Sequence, residues 1–293
     1  MSRHVVRRLV PVVVFAAVAL VSAQGRLPTE PGGKFGRSIT GAYEGWYDDS
    51  DGSHVFLVGY YNRNLAEAVD IPVGPDNRIE PGGPDLGQPT HFLPGRQVGV
   101  FTISVPKAFT PEQRLTWTLV DNGQTTTIPL RLNPDYVISP FKDAAVGNTP
   151  PVLRFEDSGQ AIQGPIASVA KAAARTAQVN TPMLLPLWAT DDAKYTSGTN
   201  APMRNPRPPV TARWSEYRGP AGVTFEPANG RPTLETLSGG QVGQPYMGKG
   251  NVAATFSAPG DYVLHVVGND YSGDGGGGEL CCWTTAMLRV TVK

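Results

Sequence analysis

The segment Leu115-Thr116-Trp117-Thr118-Leu119-Val120-Asp121-Asn122-Gly123-Gln124-Thr125-Thr126-Thr127-Ile128-Pro129-Leu130 decides how this chain is read. Leu115, Trp117 and Leu119 alternate with threonines, the period of two that marks a strand with one buried face. Asn122-Gly123 supplies positive φ at little steric cost, so Asp121-Asn122-Gly123 predicts a tight hairpin returning through Thr125 to Leu132. The same pattern extends upstream. Tyr43 to Tyr47 and Val55 to Tyr61 are aromatic and β-branched runs separated by the turn Asp48-Asp49-Ser50-Asp51-Gly52, a second hairpin. Ala68 to Val73 is a short strand ended by Gly74-Pro75-Asp76-Asn77, and Val98 to Val105 alternates cleanly. About seven short strands are expected between Ile39 and Phe141, an immunoglobulin-like number.

Asn148-Thr149-Pro150-Pro151 reads as a junction, because two prolines stiffen the chain and cannot donate to a ladder. Beyond it, strands are expected at Met183 to Thr190, Val210 to Tyr217, Val223 to Phe225, Val252 to Phe256, Asp261 to Val267 and Thr284 to Val292. Pro186 places the first of these at an edge or bulge. Ala172 to Gln178 has helix-forming alanines, yet Val179-Asn180-Thr181-Pro182 stops it, which favours an edge strand. Asn200 to Pro209 and Gly230 to Gly250 are expected to be long loops. The 34 glycines and 28 prolines show no repeat period, so they mark many turns between short elements.

At the amino end, Arg3, His4, Arg7 and Arg8 precede an apolar run from Leu9 to Val21 and then Val21-Ser22-Ala23. That is the order of a secretory leader with small residues at the cleavage site. The run is too short for a comfortable membrane-spanning helix, which needs about 20 residues. No later segment is long and apolar enough to span a membrane. Cleavage would leave 22 basic against 25 acidic residues. A slightly acidic chain without a basic surface argues against nucleic acid as a partner.

The second half resembles a PKD or cadherin-like immunoglobulin-type domain. The resemblance is carried by Asn148-Thr149-Pro150-Pro151-Val152, Ala189-Thr190-Asp191-Asp192, Trp214 with Gly219-Pro220 and Val223-Thr224-Phe225. It continues through Ala254-Thr255-Phe256-Ser257-Ala258-Pro259-Gly260-Asp261-Tyr262-Val263-Leu264 and a terminal Leu288-Arg289-Val290-Thr291-Val292. It covers Thr149 to Lys293, apart from the long loops and the late cysteine pair. The first half resembles immunoglobulin-like modules of exported bacterial proteins. The expected organisation is therefore all-β: a signal peptide (1–23), a flexible lead-in (24–38) and two immunoglobulin-like β-sandwich domains in tandem, 39–147 and 148–293. Such folds host many functions, so activity has to be argued from sites.

Trp214 and Tyr262 suit a sandwich core, with the Tyr hydroxyl bonding a nearby backbone group. In this topology the loops after the second and sixth strands emerge at one end, which places Asp191 and Asp192 near Asp270 and Asp274, with Glu279 close by. Carboxylates and loop carbonyls at that end could hold calcium beside the Pro150-Pro151 junction, although aspartates are also ordinary turn residues and no regular calcium loop is present. Cys281 and Cys282, the only cysteines, are adjacent. Neighbours on a strand face opposite ways, so oxidation to a vicinal disulfide requires a turn or bulge. An intermolecular bridge and a soft-metal site are the alternatives. Trp46, Tyr47, Tyr60 and Tyr61 cannot all face inward, which makes them a candidate patch for a protein or glycan, or else edge packing. His54 and His91 could bind copper, Glu44 and Asp48 could serve glycoside hydrolysis, and His265 lies within a strand. None forms a recognised catalytic motif. The expected function is an exported, non-catalytic binding or assembly module of the periplasm, cell surface or extracellular space. A carbohydrate-binding protein is the first alternative, and a metal-dependent or hydrolytic enzyme using the acidic loops is the second.

Overall fold

The computed structural model describes residues 31–143, 147–194, 208–241, 244–270 and 281–293. The expected leader, Asp274 and Glu279 lie outside these residues. The described chain is all-β apart from two single-turn 3₁₀ segments, Pro134–Tyr136 and Val169–Lys171. No helix among the described residues is long and apolar enough to cross a membrane.

Before residue 148 the strands are β1 (Ile39–Asp48), β2 (His54–Asn62), β3 (Val69–Asp70), β4 (Asn77–Glu80), β5 (His91–Phe92), β6 (Gly95–Val105), β7 (Leu115–Asp121) and β8 (Gln124–Leu130). They form sheets ordered β1-β2-β6 and β4-β7-β8, with a small β3-β5 pair. Numbered by their place in an immunoglobulin sandwich, these are the A-B-E and C-F-G sheets. The β7–β8 hairpin closes as its sequence predicts: Asp121 pairs with Gln124 across Asn122 and Gly123, both at positive φ. Trp117 is fully buried, and its indole N–H donates to Asn77 Oδ1 at 3.0 Å. Asn77 in turn donates to the carbonyls of Ile71 and Pro89, so the central Trp anchors two loops through one buried amide.

After residue 148 come β9 (Val152–Arg154), β10 (Ile162–Gln163), β11 (Ala173–Ala177), β12 (Met183–Asp191), β13 (Val210–Arg218), β14 (Val223–Glu226), β15 (Glu235–Ser238), β16 (Tyr246–Phe256), β17 (Gly260–Asp270) and β18 (Trp283–Val292). One sheet is ordered β10-β9-β12-β16-β14, with β15 also on β16, and the other β11-β18-β17-β13. The alanine-rich stretch is the edge strand β11, paired in parallel with β18. Trp214 and Tyr262 are both core residues, and the Tyr262 hydroxyl donates to the Ala258 carbonyl at 2.9 Å. That is the corner expected where the sixth strand of such a sandwich begins.

Two expectations need correction. Residues 31–38, read as the end of a flexible lead-in, are pinned to the first sandwich. The Gly33 and Arg37 amides donate to the Arg63 carbonyl and to Asn64 Oδ1, and the Leu65 amide donates back to the Gly33 carbonyl. The stretch 230–250, read as loop from its glycines, contains β15 and the start of β16. Gly248 and Gly250 lie in β16, where a side chain would not fit: a Cβ on Gly250 would lie 2.7 Å from the Thr233 carbonyl oxygen, whereas Gly230, Gly239 and Gly240 lie outside strands at positive φ.

Pro31–Lys293 forms one compact unit, and among the described residues no sheet mixes strands from the two halves. What joins the halves is the outer face of the β11-β18-β17-β13 sheet. Its inner face packs on the other sheet of its own sandwich through Trp214, Leu264, Val266 and Leu288. From its outer face Tyr217, Val263 and Met287 enter the core of the first sandwich. Polar contacts fix the orientation. The Tyr217 hydroxyl donates to the Gly87 carbonyl, Arg218 forks onto Asp85 at 2.8 and 2.9 Å, and the Thr90 amide donates to the Tyr217 carbonyl at 3.2 Å. The Thr102 amide donates to the Ala167 carbonyl at 2.9 Å. His265 is buried against Val100 and Tyr217, and burial pushes its pKa down to about 4.

Two outcomes follow from this interface. Tyr217→Phe removes one buried hydrogen bond and should cost about 1 kcal/mol, whereas Tyr217→Ala should cost about 3–5 kcal/mol, both read from urea midpoints. Equal losses for the two variants would contradict the packing role. His265 binds its proton less readily folded than unfolded, so its contribution is complete above pH 6.5 and is lost as pH falls towards 4. The loss should reach about 3 kcal/mol in wild type relative to His265→Gln, measured as the difference between their stability–pH curves.

Candidate functional site

The strand ends of the second sandwich bring the predicted carboxylates together. Asp191 ends β12 opposite Tyr246, and Asp270 ends β17 opposite Val210, so the two come from facing sheets at one end of the sandwich. Both are buried. Asp191 Oδ2 accepts from the Ala193 amide at 2.8 Å, while its buried Oδ1 has no partner. Burial, followed by the charges of Asp270 and Asp192, pushes the Asp191 pKa up to about 7. Asp192 is half-buried and otherwise engaged. Its Oδ2 accepts from the Thr149 hydroxyl at 3.0 Å and lies 3.4 Å from the Lys194 ammonium.

Asn148, one residue before Thr149-Pro150-Pro151, ties the junction to this end. Its side-chain amide donates to Asp270 Oδ2, and its own Oδ1 is buried without a partner. Its backbone carbonyl accepts from the Asp143 amide at 2.8 Å and touches Cys282 Sγ at 3.5 Å. Cys281 and Cys282 are joined as a vicinal disulfide, with Cys282 buried and Cys281 half-buried against the same carbonyl. The site is thus a knot of junction backbone, two buried carboxylates and a closed cysteine pair. Sequence reasoning placed the aspartates and the Pro150-Pro151 junction at this end but missed the cysteine pair's place there and Asn148, whose role depends on the chain doubling back.

The remaining candidates are separated. Tyr47 and Tyr60 are buried, so Trp46, Tyr47, Tyr60 and Tyr61 do not form one solvent-facing patch. Trp46 pairs with Phe56 and Tyr61 with Thr40, which puts Trp46 and Tyr61 about 20 Å apart along the hairpin. Trp46 donates to the Asn133 carbonyl at 2.8 Å, and Tyr61 lies under the Arg63 guanidinium. Edge packing accounts for both. Two exposed rings lie nearby: Tyr136, stacked on Tyr43 with centroids 5.3 Å apart, and Phe141, edge-on to Tyr47 at 5.1 Å.

His54 and His91 do not meet. Each bonds its own aspartate, Asp48 at 2.6 Å and Asp70 at 2.7 Å. Glu44 is paired with Arg96 and Asp48 with His54, which leaves neither free for a two-carboxylate reaction. Among the described residues no group of three or more His, Cys, Asp or Glu side chains converges to hold a metal ion.

No protein-family model matches this chain, and no curated protein sequence does. Among solved structures it is similar to domains 4 and 5 of the S-layer protein SbsC, at 12% identity and a TM-score of 0.21 over 87% of this chain and 98% of that one. It is similar to the D00-D0 domain of intimin at 12% identity and a TM-score of 0.22, over 87% of this chain and 100% of that one. A third is the adhesin InvE of Yersinia pseudotuberculosis, at 11% identity and a TM-score of 0.20, over 87% of this chain and 58% of that one. Scores of this size carry no argument about this chain.

Proposed function

We propose that this chain is an exported, non-catalytic module that acts by presenting rigid surfaces to a protein or glycan outside the cytoplasm. The observation that carries this reading is the vicinal disulfide packed on the carbonyl of Asn148. A closed cysteine pair at a structural junction belongs to an oxidising compartment, in keeping with the leader-like amino end. Of the histidines and acids considered for catalysis, Glu44 is paired with Arg96, Asp48 with His54 and Asp70 with His91, and His265 is buried between the halves. In this reading the halves are domains dividing at residues 147 and 148, the second of PKD type.

Expressed with its own amino end, the chain should be recovered outside the cytoplasm with Gln24 as its first residue. Its cysteines should take up alkylating reagent only after reduction. Cytoplasmic retention with two reactive thiols would overturn the proposal. A second reading, carbohydrate binding, is favoured by the exposed Tyr136 ring on Tyr43, since such faces stack on sugars. A glycan panel probed with wild type and Tyr136→Ala separates the two: sugar binding lost in the variant supports the second, and no sugar binding leaves the protein partner.

Calcium at the carboxylate knot belongs to the same proposal. The unpartnered Asp191 Oδ1 and Asn148 Oδ1 are hard oxygen donors beside Asp270, while the Lys194 ammonium already answers Asp192. A carboxyl whose folded pKa is raised contributes fully below about pH 4 and loses that contribution as pH rises through 7. In chelator, Asp191→Asn should therefore gain up to about 4 kcal/mol at pH 8 and little at pH 4. Added calcium should raise the melting temperature of wild type and not of the variant. An unchanged wild-type melting temperature counts against the ion.

A further inference from the structure

The outer face of the β13-β17-β18 sheet is not fully covered by the first sandwich. A cavity of about 170 Å³ remains between them, lined by Arg96 and Gln97 of β6, Arg213 of β13, Asn269 of β17, Trp283 of β18 and Arg231 after β14. Every charged side chain on this lining is a cation. Arg96 is already answered, with its guanidinium 2.5 Å from Glu44 Oε1 and bonded to the Tyr60 and Gln97 carbonyls. Arg213 and Arg231 differ. Among the described residues neither guanidinium has an ion pair or a hydrogen bond, and each raises the energy of the other's charge. Arg213 is half-buried, so water offsets this only in part.

A second observation is independent of charge. Trp283 is buried to about 1% exposure, lines the same cavity, and its Nε1–H has no acceptor. A buried donor left without an acceptor is destabilising. The ring is held by its surroundings: Gly99 sits at φ +53°, and a Cβ there would lie 2.5 Å from the indole Cζ2. The indole is thus held over a slot that only a glycine leaves open, with its donor unspent. Two guanidiniums without a protein acceptor among the described residues line one cavity backed by a rigid indole, an arrangement that recognises an oxyanion. Drug-sized sites occupy roughly 300 Å³ or more, so this volume suits one compact charged group.

We propose that this cavity binds an oxyanion, a phosphate or carboxylate group, gripped by the Arg213 and Arg231 guanidiniums against the buried Trp283 ring. The site stands whether or not the chain is exported and whether or not calcium binds at the carboxylate knot. The gripping groups all belong to the second half, while β6 of the first half closes the opposite wall of the cavity.

The test is a thermal titration of the purified chain, leader removed, with inorganic phosphate and separately with glucuronate, at ionic strength held constant by sodium chloride. The expected result is a saturable rise in melting temperature with at least one of the two anions; the one that binds more tightly identifies the headgroup. Arg231 is exposed, so Arg231→Ala should fold normally, melt no lower than wild type in chloride and bind at least tenfold more weakly. A rise that never saturates, or one of equal midpoint in wild type and Arg231→Ala, overturns the site, as does no response to either anion.

Discussion

The double burial of the β11-β18-β17-β13 sheet is the constraint on which the rest of the structure depends. A sheet on the surface of a sandwich ordinarily keeps one wet face and alternates apolar with polar residues. Here Tyr262, Leu264 and Val266 face one core while Val263 and His265 face the neighbouring sandwich, so the strand is apolar almost without interruption. Both halves lose water from the same sheet, and their relative placement is set by packing rather than by the connecting peptide. The junction prolines stiffen a connection whose geometry Tyr217 and Arg218 already dictate.

That arrangement also sorts the charges. Around the end of β17, Asp270 belongs to the carboxylate knot while its neighbour Asn269 lines the arginine cavity, so opposite faces of one strand end serve groups of opposite sign. On the knot side, desolvation holds the Asp191 carboxyl near the point of neutrality at physiological pH. On the cavity side, Arg213 keeps its charge because guanidinium is a far stronger base than any carboxylate or imidazole. His265, between the two cores, is held neutral for the same reason that Asp191 resists ionising: neither has enough water or opposite charge to support the ionised form.

Much of the strand pattern was legible because local rules decide it. The Asn122-Gly123 hairpin, the Tyr262 corner and the edge strand at Ala173–Ala177 each follow from turn chemistry or side-chain period. The glycines of 230–250 misled because glycine marks both loops and close approaches, and only neighbouring atoms distinguish them. The aromatic group at Trp46 to Tyr61 misled for another reason. Strand burial on both faces of β2 hides Tyr60, and the long β1–β2 hairpin carries Trp46 and Tyr61 to its opposite ends. At the carboxylate knot Asp191 and Asp270 were within reach of topology, since strand order determines which loops share an end. Asn148 and the arginine cavity were not. Arg96, Arg213 and Arg231 come from three separate elements, and nothing in their spacing announces that the packing of one sandwich on another will enclose them.

The parallel pairing of β11 with β18 has a mechanical consequence. β18 lies between two partners, antiparallel to β17 along Gly260–Asn269 and parallel to β11 along Ala173–Ala177. Its ladder bonds run across the strand direction on both sides. Tension applied along β18 would load those two rows in shear, many bonds at once, instead of opening them one by one as in a peeled hairpin. The strand that carries Trp283 at one end is therefore clamped on both edges over Leu288–Val292, while its two faces are held by two different cores.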